Sequence, residues 1–178
     1  MKVTETDLPG AVIIEPDVFG DERGFLQETY PEERYKSVAG IQDFLMIRRP
    51  PRSTLGVLRG LHMQRSKPQG KLVSVSHGEV FDVAADIDEK SSTFGKWVGV
   101  KLSAENHLQL YVPPGYAHGF IVLSSTADFL YKCTDFYDPS DELTIRWDDP
   151  TLNIKWPASN PKVSEKDSKG KTLKEFSA

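Results

Sequence analysis

The sequence has one cysteine, four histidines and no long uninterrupted apolar run. A lone cysteine, Cys133, cannot form an internal disulfide, which fits a reducing cytoplasm. No stretch is long enough to span a bilayer, and the apolar run near the N-terminus is too short for a signal peptide. The net charge of −4 gives no indication of binding to nucleic acid or to a membrane surface.

What the sequence does contain is the composition of a soluble globular protein. Charged residues make up 27% and hydrophobic residues 38% of 178 residues, enough to bury one sizeable core. There is no internal repeat and no low-complexity linker. We therefore expect residues 1–178 to form a single domain.

Short apolar runs recur along the chain between turns rich in glycine, proline and aspartate. Residues 71–76 show the clearest alternation of apolar and polar side chains, which is typical of a half-buried strand. The spacing predicts an all-β fold, an antiparallel jelly roll with short helical segments and room for a ligand between its sheets. The predicted helix is YPEERYKSVAG, ended by Gly40. The polar tail at residues 162–176 is predicted to be a surface loop.

The stretch GVLRGLHMQ places an arginine and a histidine in one apolar strand. Arg59 and His62 are three residues apart, so strict alternation would put them on opposite faces. A bulge at Gly60 would bring both side chains to the same face. By itself, a strand histidine is more often a structural residue than a catalytic one.

The stretch VPPGYAHGF, residues 112–120, has a tight Pro-Gly turn that leads into a strand containing His118. This spacing resembles the cupin fold, a double-stranded β-helix. Many cupins bind a metal through an H-x-H pair, which this sequence lacks, and its four histidines stand far apart. Because a metal site needs several converging ligands, we expect none here.

Eight motifs in order make the resemblance much more specific. The chain resembles the dTDP-4-dehydrorhamnose 3,5-epimerase family, metal-independent cupins, from GAVIIEP near the N-terminus to VSEKD near the C-terminus. The family implies a nucleotide-sugar substrate, no cofactor and a homodimer, for which the strand in GAVIIEP offers an edge. The motifs are GDERGFLQE, GVLRGLHMQ, PQGKLVSV, GEVFDVAADI, SSTFGKWVGVKLSAEN, QLYVPPGYAHGF, FLYKCTDFY and SEKD.

The resemblance implies four catalytic residues. Epimerisation next to a ketone needs a base, a group that stabilises the enolate, and an acid on the opposite face. His62 matches the base, and Asp167 matches the carboxylate that orients it. Lys71 would stabilise the enolate oxygen, and Tyr131 matches the acid.

Seven further positions match residues that contact the substrate in this family, with Asp82 as a possible neighbour facing the cavity. They are Arg23 and Arg59 for the diphosphate, Tyr137 for stacking on the thymine, Glu28 and His118 for general substrate contact, and Glu142 and Lys166 for nucleoside or phosphate.

Residues 45–55 depart from the family pattern, which there reads like QDNHSxS and uses its amides to hold the nucleotide. The sequence IRRPP stands in that place, and its two prolines disfavour a central strand. The stretch FLMIRRPPRSTL also resembles a translated sequencing-adaptor fragment. It is either a foreign replacement or an adapted loop whose arginines meet the diphosphate.

Three functions follow from these observations. The first is epimerisation at C3 and C5 of dTDP-4-dehydro-6-deoxy-D-glucose. The second is epimerisation at one carbon only, or of a related nucleotide 4-keto sugar. The third is a catalytically weakened cupin that binds a sugar nucleotide. The retained set of His62, Lys71, Tyr131 and Asp167 favours an enzyme over a binding protein.

Overall fold

The protein, described by a computed structural model over residues 1–41, 43–48 and 52–177, has antiparallel strands as its main regular structure. The jelly roll predicted from the sequence is confirmed. The strands are β1 Lys2–Glu5, β2 Val12–Glu15, β3 Val18–Asp21, β4 Gly24–Gln27, β5 Met46–Arg48, β6 Ser53–Thr54, β7 Leu58–Gln64, β8 Lys71–His77, β9 Glu79–Asp86, β10 Trp97–Ser103, β11 Gln109–Val112, β12 Tyr116–Val122, β13 Thr126–Cys133 and β14 Glu142–Thr144. The helices are α1 Glu32–Ala39, α2 Glu165–Ser168 and α3 Leu173–Ser177.

Two sheets face each other. The larger runs β1-β2-β11-β8-β13-β5, with β6 also paired to β13, and the smaller runs β10-β9-β12-β7-β14. The core between the sheets contains alternate residues of facing strands, such as Val73 and Val75 on β8 and Val80 and Ala84 on β9. Because every second residue points inward, a polar residue at such a position lies inside the molecule.

Helix α1 forms where the sequence predicts it. Gly40 ends it in the left-handed conformation, with φ at 60°, and its N–H bonds to the Lys36 carbonyl. Tyr35 is fully buried and donates a 2.8 Å hydrogen bond to Gln109 on β11. The helix therefore covers the outer face of the larger sheet.

The C-terminal segment differs from its prediction. It is not a surface loop, because it forms α2 and α3, and α3 packs against the outer face of the smaller sheet. Leu173 is 1% exposed and belongs to a cluster with Leu61, Val83 and Ile145. Leu173 and Phe176 anchor the tail to the sheet. In the sequence these two apolar residues stand isolated among many lysines, so they form no recognisable pattern.

The strand in GAVIIEP also differs from its prediction. The segment offers no free edge, because β2 lies between β1 and β11 and is paired on both sides. The exposed edge strand on this side of the sheet is β1, which pairs only with β2 among the described strands.

The described parts of the atypical segment, residues 45–48 and 52–55, lie at the edge of the larger sheet rather than at its centre. Strand β5 pairs with β13, and β6 pairs with the start of the same strand. Arg52 binds the buried carboxylate of Asp128 through two hydrogen bonds of 2.9 and 2.7 Å. Arg49, Pro50 and Pro51 fall outside the described residues. No helix in the described part of the chain is long and apolar enough to cross a membrane.

Candidate active site

A cavity of about 330 Å³ opens between the two sheets and gathers nine of the eleven site residues predicted from the sequence. Their side chains come from both sheets and from α2. The nine are Arg59, His62, Lys71, His118, Tyr131, Tyr137, Glu142, Lys166 and Asp167.

The bulge predicted in β7 is present and places Arg59 and His62 in the same cavity. His62 pairs with His118 and Arg59 pairs with Phe120, so three steps on β7 match two on β12. Gly60 has φ at 110°, and a Cβ there would lie 2.6 Å from the His118 carbonyl oxygen. Only glycine fits this position, because the backbones approach too closely for a side chain.

His62 is held by a buried carboxylate. Its Nε2 lies 2.6 Å from Asp167 Oδ1, and the Nδ1 atom lies 3.7 Å from Glu142 Oε1. Burial raises the pKa of Asp167, but hydrogen bonding and charge from His62, with further bonds from Ser164 and Gly60, bring it below its usual value. Ser164 caps α2 by accepting the Asp167 N–H, which fixes the carboxylate. The carboxylate therefore stays ionised and can stabilise an imidazolium.

Lys71 and Tyr131 lie on neighbouring strands of the larger sheet. Lys71 is paired with Cys133, and Tyr131 with Val73, so both point to the cavity face. Burial lowers the pKa of Lys71 and raises the pKa of Tyr131. The ammonium of Lys71 is thus closer to losing its proton than that of a free lysine, and the phenol keeps its proton to higher pH than a free tyrosine.

His118 forms a second imidazole–carboxylate pair, with Asp82. The His118 Nε2 lies 3.0 Å from Asp82 Oδ1, and both residues are buried. Burial lowers the pKa of His118, which favours the neutral ring. Asp82 contacts His118, which lines the cavity, but Asp82 is not itself one of the residues that line it.

Three of the predicted residues that line the cavity contact each other. Tyr137 donates a 3.0 Å hydrogen bond to Glu142 Oε2, and Lys166 pairs with the same carboxylate. The guanidinium of Arg48 lies 4.5 Å from the centre of the Tyr137 ring. Arg48 was not predicted as a site residue, although the sequence showed that arginines of its segment could meet a phosphate.

Arg23 and Glu28 do not reach this cavity. Arg23 is on the turn of the β3–β4 hairpin, where its side chain is 86% exposed and pairs with Asp21. Glu28 forms a 2.8 Å ion pair with Arg34. Within one chain, these two residues are separated from the other nine.

Across the described ranges, no group of three or more histidines, cysteines and carboxylates is arranged to hold a metal. The cavity instead combines a carboxylate-bound imidazole, a buried ammonium and a buried phenol. An imidazole can remove a proton next to a carbonyl, an ammonium can stabilise the enolate oxygen, and a phenol can return a proton.

Known proteins share both the sequence and the fold. A relative from Pseudomonas aeruginosa, a dTDP-4-dehydrorhamnose 3,5-epimerase, is 49% identical over 97% of this chain and 96% of its own. The crystal structure of dTDP-6-deoxy-D-glucose-3,5-epimerase from Legionella pneumophila, in complex with dTDP-4-keto-L-rhamnose, is 50% identical, with a TM-score of 0.94 over 97% of this chain and 93% of its own.

A more distant structure, a 3'-monoepimerase from Streptomyces bikiniensis in complex with dTDP-quinovose, is 30% identical, with a TM-score of 0.89 over 95% of this chain and 86% of its own. The family model for dTDP-4-dehydrorhamnose 3,5-epimerase matches residues 5–175. With a family match along nearly the whole chain and a solved epimerase that is 50% identical to it, this protein belongs to the dTDP-4-dehydrorhamnose 3,5-epimerase family of isomerases.

Proposed function

We propose that this family member converts dTDP-4-dehydro-6-deoxy-D-glucose to dTDP-4-dehydro-L-rhamnose by moving protons at C3 and C5. The observation that carries the proposal is the 2.6 Å contact between His62 and Asp167 in a cavity that also contains Lys71 and Tyr131. These four groups supply every proton and charge that the reaction requires, and no cofactor is needed.

His62 is the base in this proposal. It takes the proton from a carbon next to the C4 ketone and becomes an imidazolium, which the ionised Asp167 stabilises. The electron pair of the C–H bond moves to the C4 oxygen, which becomes an enolate. A proton returned from the opposite face then inverts that carbon.

Lys71 and Tyr131 act on the enolate. The ammonium of Lys71 stabilises the negative C4 oxygen, and the Tyr131 phenol gives its proton to the carbon. The products are the inverted sugar, a phenolate and an imidazolium. The imidazolium then loses a proton to solvent and the phenolate takes one from solvent, which restores both side chains. The same set can serve C3 and C5 in turn.

The nucleotide would lie against the remaining predicted residues. The Arg59 guanidinium donates to the Ser53 hydroxyl at 3.3 Å and forms no ion pair with a carboxylate of the described residues, so it is available for a diphosphate. Tyr137 offers a ring for the thymine, next to Glu142 and Lys166. His118, held by Asp82, contributes an imidazole to the cavity wall.

We further propose that the protein is a homodimer in the cytoplasm, where the one cysteine, Cys133, stays reduced. The β3–β4 hairpin supports the dimer because it exposes Phe19, Phe25 and Leu26 by 60–64%. A second chain that covers these side chains would also receive Arg23 from the same hairpin. This would bring the missing arginine to a cavity.

Epimerisation at one carbon is the alternative. The fold shared with a 3'-monoepimerase supports it, because one architecture accommodates both reactions. A binding protein without catalysis is less consistent with the cavity, since binding does not require a carboxylate-held imidazole beside a buried ammonium and phenol.

The test is incubation with dTDP-4-dehydro-6-deoxy-D-glucose in deuterated water, with the label at C3 and C5 measured by NMR. We expect label at both carbons, and in His62→Gln a rate at least about 100-fold lower at each. The control is His77→Gln, a histidine outside the cavity that contacts Thr126. Label at a single carbon would establish the monoepimerase, and unchanged exchange in His62→Gln would exclude His62 as the base.

A further inference from the structure

Arg48 occupies a place in the cavity that the family pattern does not assign to an arginine. It pairs directly with Tyr131 across the β5–β13 ladder. Directly opposed residues of an antiparallel pair project to the same face, so both side chains reach the cavity. Its neighbour Ile47 projects to the other face and is 72% exposed.

The charges that line the cavity do not balance. Lys166 is neutralised by Glu142, and Asp167 is paired with His62. By contrast, Arg48, Arg59 and Lys71 form no ion pair with any carboxylate of the described residues.

Cations gathered in a partly desolvated cavity are unfavourable unless an anion compensates them. The cavity therefore favours a ligand with more than one negative charge. An arginine fork matches the oxygens of a phosphate group, because two of its N–H groups can bind at once.

The position of Arg48 also limits what can happen at Tyr137. The guanidinium lies 4.5 Å from the ring centroid, a cation–π contact. A guanidinium on that ring face excludes a nucleobase from the same face. An anion that attracts Arg48 away from the ring would make the face available to a base.

We propose that Arg48 is a substrate-binding residue of this chain that binds the diphosphate together with Arg59 and, in doing so, leaves the face of Tyr137 to the base. Diphosphate and base then bind cooperatively, because Arg48 covers the base site at Tyr137 until it binds the diphosphate. This inference rests on the proposed function, since it takes the ligand to be a nucleoside diphosphate sugar.

The charge of Arg48 also reaches the catalytic residues. Although burial raises the pKa of Tyr131, the nearby Arg48 guanidinium opposes that rise. Burial lowers the pKa of Lys71, and the charge of Arg48 adds slightly to the lowering. A diphosphate bound to Arg48 would offset this field and favour the charged form of Lys71.

The test is calorimetric titration of the full-length parent and Arg48→Gln with dTDP and, separately, with thymidine. We expect the Kd for dTDP to rise by about tenfold or more, because a charge-assisted fork is lost. The Kd for thymidine should fall, because the Tyr137 face is freed, and an unchanged value would contradict the obstruction of that face by Arg48. Arg48→Lys, which keeps the charge without the fork, should lie between the parent and Arg48→Gln for dTDP.

Arg65→Gln is the matched control, because Arg65 also lies over an aromatic ring, 5.3 Å from the centre of Phe176, but outside this cavity. It removes the same charge and should leave both dissociation constants at their parent values. An equal effect of Arg65→Gln and Arg48→Gln on dTDP would reduce the result to net charge and overturn the proposal.

Two further outcomes would overturn it. One is an unchanged Kd for dTDP in Arg48→Gln and Arg48→Lys with parent-like melting. The other is an equal loss for dTDP and thymidine, which would mean that Arg48 acts only by supporting the Tyr137 ring. Failure of the proposed function gives a different result: a parent protein that binds dTDP but puts no deuterium into the sugar contradicts the epimerase and leaves the Arg48 result intact.

Discussion

Burial acts in opposite directions on the two residues that would stabilise and reprotonate the enolate. It lowers the pKa of Lys71 and raises that of Tyr131. A lysine is useful only while charged, and a phenol only while protonated. At rising pH, the ammonium of Lys71 is therefore closer to losing its function than an ordinary lysine, whereas Tyr131 retains its proton.

This difference predicts the pH dependence of the reaction. The rate should fall on the alkaline side as Lys71 loses its proton, at a pH below the ordinary lysine pKa of about 10.4. Lys71→Arg should move that alkaline limb upward, because a guanidinium stays charged. The kcat of Lys71→Arg should also be lower, because a planar guanidinium approaches the enolate oxygen with a different geometry from that of an ammonium. The measurement is kcat as a function of pH for the parent and for Lys71→Arg. If the alkaline fall in kcat occurs at the same pH in both proteins, a group other than Lys71 causes it.

Among the elements, β7 matters most for the site, because its bulge decides whether Arg59 and His62 share a cavity. Gly60 on β7 and Gly119 on β12 make this possible by allowing the backbones to approach closely. A Cβ at Gly119 would lie 2.7 Å from the Arg59 carbonyl oxygen. Substitution of either glycine should therefore affect both stability and the site.

We predict that Gly60→Ala lowers the free energy of unfolding by about 1–3 kcal/mol through overpacking, in addition to the cost of its positive φ. Exchange of the sugar protons should fall as well, because His62 moves. Gly95→Ala is the control, since Gly95 has φ at +77° but nothing within 4 Å of an added Cβ. Denaturant unfolding should show a clearly smaller loss for Gly95→Ala, and equal losses would argue against the close approach.

The strands and α1 were predictable because their signals are local. Alternation of side chains identifies the strands, and Gly40 marks the end of the helix. The C-terminal helices were not predictable in this way, because helices of four and five residues are too short for a periodic pattern. Their order comes from contacts with the sheet, such as that of Leu173, which no local signal encodes.

The site shows the same limit. The bulge at Gly60 followed from spacing alone, and the family motifs located nine residues that the fold brings to one cavity. Two results depended on pairing across strands instead. Arg48 lines the cavity because it lies directly opposite Tyr131 in the β5–β13 pair. Strand β2 has no free edge on one side because it is already paired with β1. Register is fixed by long-range contacts, so the sequence did not reveal it.

For the molecule as a whole, the β3–β4 hairpin is the feature that bears on the proposed homodimer. It pairs only with itself among the described strands and exposes large apolar side chains. It also carries Arg23, which the family motif matches to a substrate-binding arginine but which lies away from the cavity of its own chain. A homodimer in which the hairpin of one chain serves the cavity of the other accounts for both facts.

Mixed dimers test this arrangement. Arg23→Gln and His62→Gln should each be impaired alone, but a mixture that has been dissociated and reassociated should regain activity. In random dimers half are mixed, and each of these has one site with both His62 and Arg23 intact, so about a quarter of the parent activity should return. The measurement is the epimerisation rate of the mixture against each variant. No recovery, with exchange of chains shown by mass spectrometry, would mean that Arg23 serves its own chain or none.

The contact between His62 and Asp167 joins positions that are 105 residues apart in sequence. During synthesis, the strand that carries the imidazole is made long before the helix that carries the carboxylate. A growing chain can form strand pairs among its early parts, but its imidazole has no carboxylate to hold it. The chain therefore cannot form the contact between His62 and Asp167 until the end of its synthesis. A protease that cuts between the two positions could also abolish the contact without removing either residue.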